Sequence, residues 1–276
     1  MTIDIKTLLI FAVFTSTLFA GVQYYYQRFH KKYPGAREWL WGSLCILICY
    51  IFVVFRENYL PDWTSIFIGN SFLIYGTYLR LRASSLFSLK KDISPKWGLA
   101  AVVTLLLWVL VFYFIEDSIA WRSLGLMILC SLFLFTSSIV YWRAYLLKKH
   151  FLYLCMIVSF FVYACVVFWR AFYWPMHPTI QLFDNNVFQQ IFFLVAVVVD
   201  IVTTQLFLMM NNTRLATDLH DLQIMIPICS YCKKIKLSNN QWEGLEDFLA
   251  RQTQKDLSHS ICPSCQKNLA KEIDEA

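Results

Sequence analysis

The chain has 276 residues, of which 58% are hydrophobic and 15% are charged, whereas soluble domains are about half apolar and a quarter charged. Its net charge of +6 comes from basic residues dispersed among apolar segments. This dispersion argues against nucleic-acid binding, which needs basic residues clustered on a folded domain. The shortage of charge lies in residues 1–210, while residues 211–276 have the composition of a soluble protein. We therefore predict a part embedded in the lipid bilayer followed by a polar part, with no nucleic acid bound.

Seven apolar segments are long enough to cross a bilayer, which takes roughly 20 residues. The third is the weakest, because it contains Gly69, Asn70 and Ser71. The first has Asp4 before a long apolar stretch, so we predict that it is retained rather than cleaved as a signal peptide. The predicted spans are 7–27, 39–55, 62–80, 97–115, 122–142, 151–173 and 187–210.

The loops between these spans predict the orientation of the chain. Loops after the first, third and fifth spans are rich in lysine and arginine, whereas those on the opposite side carry few. Basic residues concentrate in cytoplasmic loops. We therefore predict an all-α membrane protein, a seven-helix bundle of the bacterial inner membrane, with its N-terminus outside and its polar part in the cytoplasm.

A carboxylate lies near the middle of the seventh span, at Asp200. Insertion of such a group costs on the order of 3 kcal/mol, so it normally faces the bundle interior and has a partner. One interpretation is a site that responds to a proton or a ligand. The other is a hydrogen-bonded carboxyl that joins two helices, with Asn70, Ser71 or Tyr75 of the third span as its partner.

Arg170 ends the sixth span within an aromatic segment, residues 168–178. An aromatic belt at the membrane interface explains this segment, and the alternative is an anion-binding or pH-sensing site formed with His177. Arg80 and Arg82 lie at the inner end of the third span. Snorkelling of their long side chains to the interface explains both.

The bundle contains no HExxH, no paired carboxylates and no glycine-rich phosphate loop, so we expect no enzymatic activity. The stretch "GNSFLIYGTYLRLRASSLF" and the repeated "WRA" at 142–144 and 169–171 resemble the multi-pass sensor modules that precede diguanylate cyclase domains in bacteria. The resemblance covers about residues 35–210 and implies a sensory bundle. No GGDEF, EAL, histidine-kinase or LytTR segment follows the seventh span, so cyclase activity is not expected.

Residues 211–226, the exit segment, carry a seven-residue repeat that is typical of a helical seam. One interpretation is an amphipathic helix that lies on its own bundle or on the polar tail. The other is a signalling helix that continues the seventh span and forms a homodimer through residues 208–226, with Asn212 setting the register. The repeat has one row at Leu208, Leu215 and Leu222, and another at Asn212, Leu219 and Ile226.

Residues 227–276, the cysteine module, contain two CxxC pairs separated by 29 residues. A CxxC turn directs both thiolates at one point, and two such turns complete a tetrahedral zinc site. Four thiolates would fill the coordination sphere, so the Zn²⁺ is expected to be structural, with His259 beside the ligands rather than among them. Disulfides are disfavoured in the reducing cytoplasm. The predicted ligands are Cys229, Cys232, Cys262 and Cys265.

The order of elements in the cysteine module is typical of an α+β zinc ribbon or treble clef. A hairpin is predicted at 233–242, a helix at 242–252, and a last helix that begins near Pro263. The words "IPICSYCKKI…W…LEDFL…SHSICPSC" resemble a zinc-finger-like module, PICxxCKKI…W…E…SHGICPxC, found at the C-termini of bacterial sensor and regulator proteins. The resemblance covers about residues 226–267, and Ser260 stands where that pattern has a glycine.

These features together predict a signal-transduction protein without intrinsic catalysis. The bundle would sense a cue in the membrane or outside, and the cysteine module would engage a cytoplasmic signalling protein. Two alternatives remain open: a membrane scaffold that uses the module for docking, and a haem or thiol redox protein. The second alternative is weaker, because His30, His150 and His177 do not have a spacing suited to bis-histidine haem.

Overall fold

The structure, a computed structural model, divides the chain into two compact units, Met1–Leu215 and Ala216–Ala276. The first unit therefore ends inside the exit segment and not at the predicted boundary, residue 210. The residues described are 4–30, 33–56, 59–114, 118–177, 186–223, 228–237, 240–253, 261–262 and 265–266.

Seven long helices make up most of the described part of the first unit, one for each predicted span. A π-helical segment, Thr64–Gly69, leads directly into the third of them. The helices are α1 Ile5–Phe29, α2 Ala36–Val54, α3 Asn70–Leu89, α4 Lys96–Phe114, α5 Ile119–Lys148, α6 Phe151–Met176 and α7 Val187–Gln223.

Six of these helices, all except α3, are long and apolar enough to cross a membrane. This confirms the prediction of an all-α, multi-pass membrane protein. Helix α3 packs against α2, α4 and α5 and buries residues as polar as Thr77, Ser84 and Ser88. A helix enclosed by other helices does not need an apolar surface, because its side chains meet protein instead of lipid. The same enclosure explains the weak hydropathy of the third predicted span.

Two glycines set the close approach of α2 and α3. A Cβ atom added to Gly76 would lie 2.9 Å from the carbonyl oxygen of Gly42, and one added to Gly42 would lie 2.9 Å from the carbonyl oxygen of Gly76. Small residues allow helix backbones to approach closely, and this closeness favours helix association in membranes. The two glycines therefore bring α3 near enough to α2 for side chains of the two helices to share polar contacts.

An aromatic cluster joins α2, α3, α6 and α7 in the core of the bundle. Trp39 is fully buried and stacks on Phe207 of α7 with ring centroids 4.1 Å apart. Phe160 of α6 meets the same indole edge-on, and Phe87 of α3 lies 5.1 Å from Phe207. Aromatic pairs of this kind contribute about 0.5–1.5 kcal/mol each beyond their buried area. Through Phe207, they stabilise the packing of α7 against the other three helices.

Helix α7 runs without interruption through the seventh span and into the exit segment, as far as Gln223. The guanidinium of Arg214 donates to the carbonyl oxygen of Phe87 at 3.3 Å and lies 4.4 Å from that ring. Leu215 packs against the core of the bundle. The beginning of the exit segment therefore lies on its own bundle, while Asn212, the predicted register residue, is exposed.

Beyond the end of α7, the described part of the second unit contains a small antiparallel hairpin and one helix. Strands β1 Ile235–Lys236 and β2 Trp242–Glu243 pair with each other, and α8 spans Leu245–Thr253. Ile235 is buried under this hairpin. The hairpin and helix lie where the sequence predicts them.

The glycine contact between α2 and α3 predicts a position-specific response to added methyl groups. We expect Gly76→Ala to destabilise the bundle by about 1–3 kcal/mol, because the methyl must push two backbones apart. Gly21→Ala is the matched control, since no atom lies within 4 Å of its added Cβ. The measurement is the free energy of unfolding in detergent. Equal effects of the two substitutions would contradict the close approach.

Candidate functional site: a polar cavity within the bundle

A cavity of about 200 Å³ lies inside the first unit. Residues of α1, α2, α3, α5, α6 and α7 line it, and most of the lining is aliphatic or aromatic. Polar groups interrupt this apolar wall, among them Asp200, Arg80 and Arg170. Cavities that are largely apolar and hold a few convergent polar groups are the usual form of small-molecule sites.

An ion pair between α3 and α7 forms the polar centre of this cavity. Arg80 donates through Nη1 to Asp200 Oδ1, and the two side chains are only 9% and 12% exposed. Ser43 of α2 accepts from Arg80 Nη2 at 3.1 Å. Ser16 of α1 donates to the other carboxylate oxygen at 3.4 Å. Four helices therefore meet at one charge pair.

The predicted partners of Asp200 were wrong, and so was the snorkelling explanation for Arg80. Helix α3 continues for nine residues beyond Arg80, to Leu89, a distance of about 13 Å at 1.5 Å per residue. Arg80 is therefore in the interior and not at a helix end. Ser71 donates to the carbonyl oxygen of Phe67 instead, and Asn70 lines the cavity with Asp200.

A second buried cation lines the cavity at Arg170, which is 2% exposed. Its Nη2 donates to Gln189 Oε1 at 3.1 Å. Its guanidinium carbon lies 3.9 Å from the ring centroid of Phe192 and 4.4 Å from that of Trp174. Arg170 therefore faces the bundle interior, which an interfacial belt alone does not explain. His177 is exposed and stacks on Tyr173 instead.

Sequence reasoning missed two further arginines that line the cavity, Arg56 and Arg122. Arg56 pairs with Asp62 at 3.0 Å, and Arg122 lies over the ring of Tyr113 at 5.3 Å. Both lie at or beside the ends of predicted spans, on the side where the loops carry few basic residues. Arg122 stands within the first turn of α5, and a basic residue at the start of a predicted span was the signal that could have found it.

The four cysteines of the second unit form two local turns of the same kind. The backbone N–H of Cys232 lies 3.5 Å from Cys229 Sγ, and that of Cys265 lies 3.5 Å from Cys262 Sγ. Lys233 follows the first pair in a left-handed conformation and closes the turn. Each pair thus directs backbone donors at its first sulfur.

These donors favour the ionised sulfur. Hydrogen bonds from the backbone N–H groups of Cys232 and Tyr231 hold the pKa of the Cys229 thiol below its ordinary value, as a metal ligand requires. Among the described residues, no three His, Cys, Asp or Glu side chains lie close enough together to hold a metal ion. His259 lies outside the described residues. The Cys₄ zinc site therefore stays a prediction.

No protein-family model matches the chain, and no match is found among the curated proteins or the solved structures. The resemblances to bacterial sensor bundles and to a zinc-finger-like module therefore stay predictions. The geometry of the cavity and of the cysteine turns is the basis for a functional inference.

The buried ion pair predicts a large loss of stability when one partner is removed. We expect Asp200→Asn to destabilise the bundle by about 3–5 kcal/mol, because Arg80 is left as an uncompensated buried charge. Asp92→Asn is the matched control. Asp92 accepts two hydrogen bonds from Arg82 but is exposed, so its loss should cost less than about 1 kcal/mol.

Both effects are measured as the free energy of unfolding in detergent, and similar losses would contradict the special role of the buried pair. The control also has its own pH dependence. Hydrogen bonds from Arg82 hold the pKa of the Asp92 carboxyl below its ordinary value. Its small stabilising contribution is therefore present above the unfolded-state pKa, near 4, and is lost as pH falls through the folded-state value.

Proposed function

We propose that this protein is a sensor of the bacterial inner membrane that relays a cue to a cytoplasmic signalling protein and has no catalytic activity of its own. The cavity is the sensing site. Helix α7 transmits the response, and the cysteine module presents the surface that the partner binds.

The observation that carries this proposal is the position of the ion pair on α7. Asp200 lies in the cavity, and the same helix continues without a break to Gln223, about 35 Å further along at 1.5 Å per residue. A ligand or proton that alters the Arg80–Asp200 pair acts directly on this helix. In this proposal α7 carries such a displacement toward the exit segment.

In this proposal α3 also crosses the membrane, as the third of seven spans. It is enclosed by α2, α4 and α5, which explains its low hydropathy. The alternation of basic loops supports seven crossings and places the N-terminus outside. That orientation puts the cysteine module in the cytoplasm, where disulfides do not persist.

The exit segment also supports a homodimer that forms through one of the two rows of its repeat. Leu215 packs against the core of its own bundle. The row of the repeat that contains Leu215 therefore contacts the bundle at this position and not a second copy. Asn212 and Leu219 belong to the other row, and both are exposed. We propose that this second row forms the contact between two copies.

The cysteine module is proposed to be a structural Cys₄ zinc site. Two matching cysteine turns support this proposal, and the lowered pKa of Cys229 favours the ionised sulfur that zinc binds. A module of this size has too small a core to fold easily without a metal. Zinc would supply cross-linking free energy and no chemistry of its own.

Transmission through α7 predicts that a change in the cavity alters the exit segment. We expect Asp200→Asn to speed hydrogen–deuterium exchange of residues 216–223 several-fold, because an opened local structure exchanges faster. The measurement is mass spectrometry on the full chain in nanodiscs. Asp92→Asn should leave that exchange unchanged. A folded Asp200→Asn protein with unaltered exchange in 216–223 would contradict the relay.

The zinc proposal predicts one zinc ion per full-length chain by elemental analysis after dialysis against metal-free buffer. Cys229→Ser should lower the zinc content, because it removes one of four ligands. Cys165→Ser is the matched control, since that exposed cysteine lies in α6 and not in the cysteine module. A full-length protein that carries no zinc would refute the site.

A further inference from the structure

The cavity has an excess of buried positive charge at one end. Among the described residues that line it, Asp200 is the one carboxylate, and it is already paired with Arg80. Arg170 has only a neutral hydrogen-bond acceptor, Gln189, and aromatic rings beside it. A cation held among apolar groups is costly unless an anion or strong acceptors compensate it.

One donor of Arg170 remains open to such a compensating group. Its Nε is buried and has no hydrogen-bond partner among the residues that the structure describes. Buried donors without partners are rare, and a guanidinium N–H makes a strong hydrogen bond to an anion. Arg122 lines the same cavity and adds a further guanidinium to its wall.

The depth of the charged groups gives the cavity a direction. Arg170 lies six residues before the end of α6, and Asp200 lies 13 residues after the start of α7. Arg170 contacts Phe192 of α7, and Asp200 lies eight residues further along that helix, about 12 Å at 1.5 Å per residue. Between them the wall includes apolar groups of Phe160, Val167 and Ala196.

The volume limits the size of the occupant. A cavity of about 150 Å³ holds a benzene molecule, so the volume of about 200 Å³ found here holds on the order of nine non-hydrogen atoms. An occupant with a single carboxylate and a compact apolar body satisfies the volume, the guanidinium and the apolar wall together. A bare inorganic anion would leave the apolar part of the wall without contacts.

We propose that the cavity binds a small organic monocarboxylate whose carboxylate pairs with Arg170 and whose apolar body fills the space toward the Arg80–Asp200 pair. Its role as the cue rests on the proposed sensor function, while binding itself does not. A bound anion also connects ligand binding in the cavity with the proposed relay through α7. Its negative charge competes with Asp200 for the cations of the cavity and weakens the contact of α7 with α3.

The test uses benzoate and its neutral analogue benzamide, which are alike in size and shape. Binding to the full chain in nanodiscs is measured by isothermal titration calorimetry. We expect benzoate to bind at least tenfold more tightly than benzamide. Arg170→Gln should weaken benzoate binding by about 10- to 100-fold, because it removes a charge-assisted hydrogen bond, and should leave benzamide binding unchanged.

Three further variants control for folding and for general electrostatics. Arg170→Lys should restore part of the benzoate affinity, because it keeps the charge but loses the planar donor pair. Ala196→Phe should abolish binding of both probes, because it fills the cavity. Arg82→Gln removes an equal charge from an exposed pair outside the cavity and should change benzoate affinity by less than about twofold.

Two results would overturn the proposal. One is equal affinity for benzoate and benzamide, and the other is competition by chloride as effective as that of benzoate, which indicates a simple anion site. If benzoate binds but exchange of residues 216–223 does not change, the ligand class holds and the relay fails. If Asp200→Asn alters that exchange but benzoate does not bind, the relay holds and the ligand class fails.

Discussion

A guanidinium and a carboxylate are each costly within an apolar bundle, and they become tolerable when they meet there. Helix α3 carries Arg80 and α7 carries Asp200, so the two helices must lie side by side at that depth. Ser43 and Ser16 complete the hydrogen bonding from α2 and α1. Side chains of four helices therefore satisfy one pair of charges.

The other features of the first unit depend on this pair. The glycines at the crossing of α2 and α3 bring the backbones close enough for Ser43 to reach Arg80. A cavity lies beside the pair and includes both of its side chains in its wall. Arg170 adds a cation to that cavity. A structural constraint and a candidate binding site thus occupy the same place.

The second unit depends on a different kind of restraint. Its described part is a two-stranded hairpin, one helix and two cysteine turns, and such a module has little core to stabilise it. Both cysteine pairs have the same local geometry, with the backbone N–H of the second cysteine close to the sulfur of the first. The proposed zinc would supply further stability, because metal binding converts ligand affinity into folding free energy.

The sequence by itself determined the all-α membrane class, the approximate position of the long helices other than α3, and the hairpin and helix that follow the first cysteine pair, because hydropathy and short spacings act over neighbouring residues. It also singled out Asp200 and Arg170. Only the tertiary structure decided that Arg80 is the partner of Asp200, that Arg170 faces inward and that α3 is enclosed. Those outcomes depend on which helices meet and at what depth, and contacts between residues 120 positions apart in the chain leave no local pattern.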